Sequence, residues 1–225
     1  VVVVSTSNTP PLARLKGAFT ATAIAEYFRD QGKDVMILFD SITRFARAQR
    51  EIGLAIGEPP ATRGFPPSVF SILPRLLERC GSADHGTITG FYTILVEGDD
   101  MDEPVSDTVR GIIDGHIILS RRLAQRYHYP AIDVLDSLSR LAVKVSDQAT
   151  REAAGYIRRM LAVYRESEDL INVGAYVRDS NAEKDEAIDK NPAINKFLRQ
   201  EIEEKAEINE TKSWMKEIAE IEGNE

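Results

Sequence analysis

Cysteine is nearly absent: Cys80 stands alone among 225 residues. A single thiol forms no intramolecular disulfide and no cysteine zinc cluster, and a reducing, cytosolic setting fits such a chain best. Histidine is almost as scarce. His85, His116 and His128 lie at no metal-ligand spacing and read as structural. Long apolar runs are missing too. Runs such as 1–4 and 35–39 fall far short of the ~20 residues that cross a bilayer. Positive charge is in deficit. Against 36 Asp and Glu there are 28 Lys and Arg, a formal net charge of −8, which argues against a basic nucleic-acid face spanning the chain. Neither a signal peptide nor an initiator Met opens the sequence, and a fragment whose beginning is missing is the expectation.

What is present suffices for a core: 43% hydrophobic against 28% charged residues fits a globular protein. Residues 1–5, Val-Val-Val-Val-Ser, are β-branched and stop at the loop Asn8-Thr9-Pro10-Pro11, so they read as a fully buried strand. Phe19, Ala23, Ile24, Tyr27 and Phe28 then recur at helical spacing, and Gly32 stands where a helix end favours a left-handed residue. A second apolar run, 35–39, is closed by Asp40. Strand, helix and strand at this spacing predict a βαβ unit with parallel strands.

Helices are expected over 43–56, 69–80 and 105–113, a Pro/Gly-rich loop over 57–67, a strand over 88–96 and an acidic turn over 97–104. Strands over 116–119 and 131–135 flank a helix around 121–126. After Asp147 helical stripes dominate: Ala154, Ile157, Met160, Leu161 and Tyr164, then Ile194, Phe197, Leu198 and Ile202, then Trp214, Ile218 and Ile221. The expected organisation is an α/β domain over 1–145 followed by an all-α domain over 146–225.

Four residues stand out for chemistry. Asp40 ends an apolar strand, where open α/β sheets bind ligands and where an acid can hold Mg²⁺; a helix-capping Asp is the plainer alternative. Arg44 lies one helical turn further on, placed either to bind a phosphate with its planar fork or to form an internal salt bridge. Tyr129 precedes Pro130, which restricts it and makes it either a stacking platform or a core tyrosine. Arg140 falls just before the domain change, a place to face a neighbouring subunit or simply solvent. The acids over 99–103 suit a metal, or more simply a solvated loop before a helix. Glu78 and Glu97 are carboxylates that nothing singles out as general bases.

The segments AFTATAIAEYFR (18–29), RFARAQREIGL (44–54), GEPPATRG (57–64), VEGDDM (96–101) and HYPAID (128–133) occur in order and at family-like spacing. Together they closely resemble the flagellar protein-export ATPases, whose relatives are the type III secretion ATPases and, more distantly, the catalytic subunits of rotary ATP synthases. The resemblance spans all but about the last 25 residues. It implies a RecA-like P-loop NTPase core, in its C-terminal part, followed by an all-α domain.

The resemblance further implies ATP and Mg²⁺ as ligands, with Asp40 supporting Mg²⁺ through water and Ser41 and Arg44 near the γ-phosphate. Tyr129 would pack on adenine, and Arg140 would be an arginine finger reaching the adjacent subunit's nucleotide. The loop 57–67 would face the central pore of a homohexameric ring. The implied partners are the export stalk and regulator proteins, export substrates and chaperones, and the membrane export gate, at the cytoplasmic face of the inner membrane, without nucleic acid. The family's phosphate-binding loop and the Glu-containing segment after it do not occur in the chain. The Gly32-Lys33 pair follows a helix and lacks the upstream Gly and the Ser/Thr. The chain alone is therefore expected to be inactive. A ring like the transcription terminator Rho, which shares the strand-Asp-Ser-Ile-Thr-Arg pattern, and a non-catalytic rotary subunit are the alternatives.

Overall fold

The computed structural model describes residues 1–221. The chain forms two compact units, Val1–Ile113 and Asp114–Glu225.

In the first unit, α1 (Pro11–Arg29) leads into β1 (Asp34–Phe39), α2 (Ile42–Ala55) and α3 (Pro67–Leu77). Next come the short β2 (Gly81–Ser82), β3 (Thr87–Tyr92) and α4 (Pro104–Ile112). β1 and β3 pair in parallel from Asp34–Thr87 to Phe39–Tyr92, with β2 antiparallel on the far side of β3. Parallel pairing requires a long crossover, which α2 and α3 provide. Between them lies the loop over 57–67, turned by Gly57 and Gly64 at φ +88° and +78°, values that cost glycine nothing. Ile42, Val69, Leu73, Leu76 and Val109 are essentially inaccessible in the core these helices share.

Two expectations fail here. Residues 1–5 form no strand, and Val1, Val2 and Val4 are 91, 86 and 75% exposed. A run of valines has the propensity, but a strand exists only where a neighbour supplies a ladder, and no described residue pairs with this one. The parallel crossover unit is thus β1 to β3, not residues 1–5 to β1. On α1 the buried face is Leu15, Ala18, Thr22 and Ala25, rotated from the expected stripe. Ala23 is exposed and Tyr27 is 65% exposed. Gly32 does take the left-handed conformation, at φ +76°.

The second unit holds β4 (Gly115–Leu119), α5 (Arg121–Gln125), β5 (Ile132–Ser139), α6 (Ala142–Val145), α7 (Gln148–Asn172), α8 (Ala182–Leu198) and α9 (Ile208–Ile218). β4 and β5 pair antiparallel. Ile157, Met160, Ala187, Ile194 and Ile218 join α7, α8 and α9 in one core. Trp214 meets Phe197 edge-on at 5.2 Å, so the last apolar stripe packs within its own unit. Ile202, expected on the α8 stripe, lies past the helix and is 97% exposed. The backbone turns extended at Arg199, and the Gln200 N–H donates to the Tyr129 carbonyl at 2.9 Å, which ends α8 before a further turn can form.

Candidate active site

The first unit places three of the expected residues around one cavity of about 300 Å³, lined by Asp40, Ser41 and Arg44 together with Arg14, Phe39 and the segment that includes Val1 and Val3. The parallel register sets this up. β1 and β3 end together at Phe39 and Tyr92, so Asp40 and Thr93 emerge side by side. The Thr93 hydroxyl donates to the Asp40 carboxylate at 3.2 Å. The Ile42 N–H donates to the Thr93 carbonyl at 2.9 Å, and the Leu95 N–H to the Thr43 hydroxyl at 2.8 Å. These bonds hold the turn between β1 and α2 on the end of β3. The Asp40–Ser41 peptide is cis.

Asp40 does not cap α2. Ser41 does, its hydroxyl accepting the Arg44 N–H at 3.4 Å while the side chain is buried to 1% exposure. The Asp40 carboxylate is thereby left exposed at the carboxyl end of a parallel strand. Among the described residues neither Asp40 nor Arg44 makes an ion pair, and the Arg44 side chain is exposed. Thr93 escaped the sequence reading; the cue was that a strand parallel to 35–39 must end beside Asp40.

The acidic turn has other work. Glu97 pairs with Arg47 of α2, and Asp100 with Arg63 of the 57–67 loop. Asp100 accepts hydrogen bonds from Arg63 and from the Asp102 N–H, which hold its carboxyl below the usual range. Among the described residues no group of three His, Cys, Asp or Glu stands together as a metal site.

Tyr129 and Arg140 belong to the second unit. Tyr129 is no core residue: it is half-exposed, followed by a cis Pro130, and set edge-on to Tyr127 at 5.6 Å. Arg140 follows the last residue of β5, is exposed, and donates its backbone N–H to the Asp114 carbonyl at 2.8 Å.

Between these two residues the ladder breaks. Ile118 pairs with Asp133 but His116 with Leu138, so residues 134–137 stand out of β5 as a bulge. Asp133, 7% exposed, receives two hydrogen bonds from Arg165 at 2.7 and 2.8 Å. Burial pushes its carboxyl up, but Arg165 and the N–H groups of Asp136 and Leu135 outweigh burial and hold it below the usual range. Such a carboxylate contributes stability above its unfolded pKa near 4 and loses it as pH falls through the lower folded value. Arg165→Met should therefore cost on the order of 2 kcal/mol at pH 7. The deficit should shrink below about pH 4, where Asp133 can protonate. Denaturant melts at pH 7 and pH 3.5 check this; an equal loss at both would separate the Arg165 effect from the Asp133 charge. Arg165 was not singled out in the sequence. Its signal was a pair of arginines, Arg158 and Arg165, seven residues apart on one face of an expected helix.

The chain has known relatives. Residues 1–139 match the ATP synthase alpha/beta family, nucleotide-binding domain, and residues 146–217 match the T3SS EscN ATPase C-terminal domain. The chain belongs to the ATP synthase alpha/beta family. Within it, the flagellum-specific ATP synthase of Treponema pallidum is 62% identical over 94% of this chain and 47% of that protein. The SPI-2 type 3 secretion system ATPase of Salmonella typhimurium is 56% identical over 91% and 47%. The assembled ATPase EscN of the enteropathogenic E. coli type III secretion system superposes with a TM-score of 0.92 at 46% identity, covering 96% of this chain and 52% of that one. The chain spans about half the length of the curated relatives it matches.

Proposed function

We propose that these residues are part of an ATP-hydrolysing subunit of a flagellar or type III protein-export apparatus, coupling Mg-ATP hydrolysis in a homohexameric ring to the unloading and export of proteins. The observation that carries this reading is the exposed Asp40 carboxylate, unclaimed by a cap or an ion pair among the described residues, at the carboxyl end of a parallel strand and over an open cavity with Ser41 and Arg44. Mg²⁺ takes few protein oxygens and keeps several waters, so a single accessible carboxylate suits a contact through water. Bound there, Mg²⁺ supplies charge against the phosphate oxygens. Ser41 shapes the turn near the γ-phosphate, and the Arg44 guanidinium reaches phosphate oxygens.

Tyr129 packs on adenine, and Arg140 enters the site of the adjacent subunit. The loop 57–67 faces the pore. We place the boundary between the two domains at 145/146, supported by matches that end at residue 139 and begin at residue 146. No described helix is long and apolar enough to cross a membrane, which suits a peripheral place at the cytoplasmic face of the export gate. The partners are the stalk and regulator proteins, export substrates and chaperones. In EscN the ATPase has been solved with its central stalk EscO. The stretch 199–225 carries nine acids against four bases, which disfavours nucleic acid.

The decisive experiment mixes two inactive variants of the intact subunit, Arg140→Ala and one lacking the phosphate-loop lysine. If sites are shared, some interfaces in mixed rings join an intact loop to an intact finger, and hydrolysis returns. Confirmed mixed rings without recovered activity would refute a shared site. A second result is expected at Tyr129. Tyr129→Ala should weaken ATP by roughly 1–3 kcal/mol, the scale of base–aromatic stacking, and leave inorganic phosphate unaffected. Calorimetric titration with both ligands checks it; equal ATP affinity in the two proteins would remove the tyrosine from the adenine site.

A further inference from the structure

The bulge in β5 is held by side chains almost atom by atom. The Asp133 carboxylate accepts the N–H groups of Leu135 and Asp136 at 3.1 and 3.2 Å. The Ser137 hydroxyl donates to the Asp133 carbonyl at 2.6 Å and accepts the Ile118 N–H at 2.9 Å. His116 Nε2 meets the Asp136 carbonyl at 3.2 Å. Three carbonyls remain, and Arg158 of α7 takes all of them: Nη1 donates to Val134 at 2.5 Å and Ser137 at 3.3 Å, and Nη2 to Leu135 at 3.2 Å. Two turns along the same helix, Arg165 grips Asp133 and reaches Asp136 at 3.4 Å.

Backbone acceptors withdrawn from a ladder must find partners or pay the loss of their hydrogen bonds. Three carbonyl oxygens converging on one point also repel one another unless a cation stands between them. A guanidinium answers both needs, because its donors lie in a fixed planar fork. Beyond the bulge only two ladder pairs, His116–Leu138 and Gly115–Ser139, precede Arg140. So short a ladder takes its direction from the bulge that feeds it.

We propose that Arg158 is a positioning residue for catalysis: by gathering the carbonyls of residues 134, 135 and 137 it fixes the path of β5 and hence where the Arg140 guanidinium is presented. This rests on the reading of Arg140 as the finger that acts on a neighbour's phosphoryl group. Arg158 itself touches no substrate. Losing it displaces a catalytic charge, and a misplacement of about 1 Å is worth roughly a hundredfold in rate.

The test uses the intact subunit and four variants: Arg158→Gln, Arg158→Lys, Arg140→Ala and Ile157→Val. Ile157 is buried in the α7–α9 core next to Arg158 in sequence, and its side chain has no donor to offer the bulge carbonyls, so it reports what lost helix packing alone does. Arg158→Gln should lower turnover about ten- to a hundredfold with KM for ATP within about threefold. Arg158→Lys should recover part of it. Ile157→Val should lower the melting temperature and keep turnover within about twofold. Mixed with the phosphate-loop variant, Arg158→Gln should regain activity, since its defect lies on the finger side of the interface. Turnover of Arg158→Gln within threefold of wild type, alongside a collapsed Arg140→Ala, would overturn the positioning role and leave the finger standing. A loss that Ile157→Val reproduces, or a raised KM without a turnover effect, would also overturn it. An active Arg140→Ala would remove the finger and this role together.

Discussion

In the intact subunit, Arg140→Ala should lower turnover by roughly 10³–10⁵-fold, the range seen for arginine fingers, and leave KM for ATP within about threefold. The asymmetry follows from when the charge matters. As the bond to the leaving oxygen loosens, negative charge moves onto that oxygen while the charge of the transferring phosphoryl group stays spread over its equatorial oxygens. A guanidinium delivered there stabilises the transition state more than bound ATP. Arg140 has the placement for delivery: it is exposed at the end of β5 and anchored through its backbone N–H to the Asp114 carbonyl at 2.8 Å. Arg140→Lys should rescue poorly, because an ammonium lacks the planar fork. Steady-state kinetics across ATP concentrations check the split. A KM that rises in step with the fall in turnover would make Arg140 a ground-state binding residue instead.

Asp40→Asn is the second large effect. The amide keeps the shape and removes the charge, so turnover should fall at least about a hundredfold, near 3 kcal/mol at 1.36 kcal/mol per decade. The Mg²⁺ concentration needed for half-maximal rate should rise with it. Stability should move by less than about 0.5 kcal/mol, since the α2 cap belongs to buried Ser41 and Asp40 itself is exposed. That contrast is what a merely structural acid would not give. Unchanged turnover and unchanged Mg²⁺ dependence in Asp40→Asn would exclude the metal role.

The part of the fold written in local pattern was legible. The apolar run 35–39 became β1, the helical spacing after residue 43 became α2, and the stripe from Ile157 to Tyr164 became the inner face of α7. Asp40 and Arg44 could be picked out because strand end and helical turn fix their places by sequence distance alone. Residues 1–5 misled for the opposite reason. Their β-propensity is real, but pairing is a property of two segments, and the sequence of one does not reveal whether a partner stands beside it. Ser41 as cap was masked by the acid next to it. The spacing of Arg158 and Arg165 on one helix face was legible, but their targets were not, because these are main-chain carbonyls and a carboxylate presented to them only by the β5 bulge. An irregularity of register leaves almost no mark in a hydrophobic pattern, yet it decides which polar side chains on another element are needed.

The ion pairs Arg47–Glu97 and Arg63–Asp100 join α2 and the 57–67 loop to the acidic turn, and every one of these side chains is at least 41% exposed. Pairs this wet contribute little each, about 0–1 kcal/mol, and dissolved ions weaken them at a Debye length of about 8–10 Å. The apolar contacts beneath, at Val69, Leu73 and Leu76, are not weakened in this way. Ionic strength therefore acts on the loop and the core separately: a modest rise in salt slackens the tether at Arg63 while the helices that carry the loop stay packed. One of the loop's attachments is thus expected to weaken with salt, while the hydrogen bonds of Glu58 to Gly53 and Ser68 keep the loop anchored at its start and end.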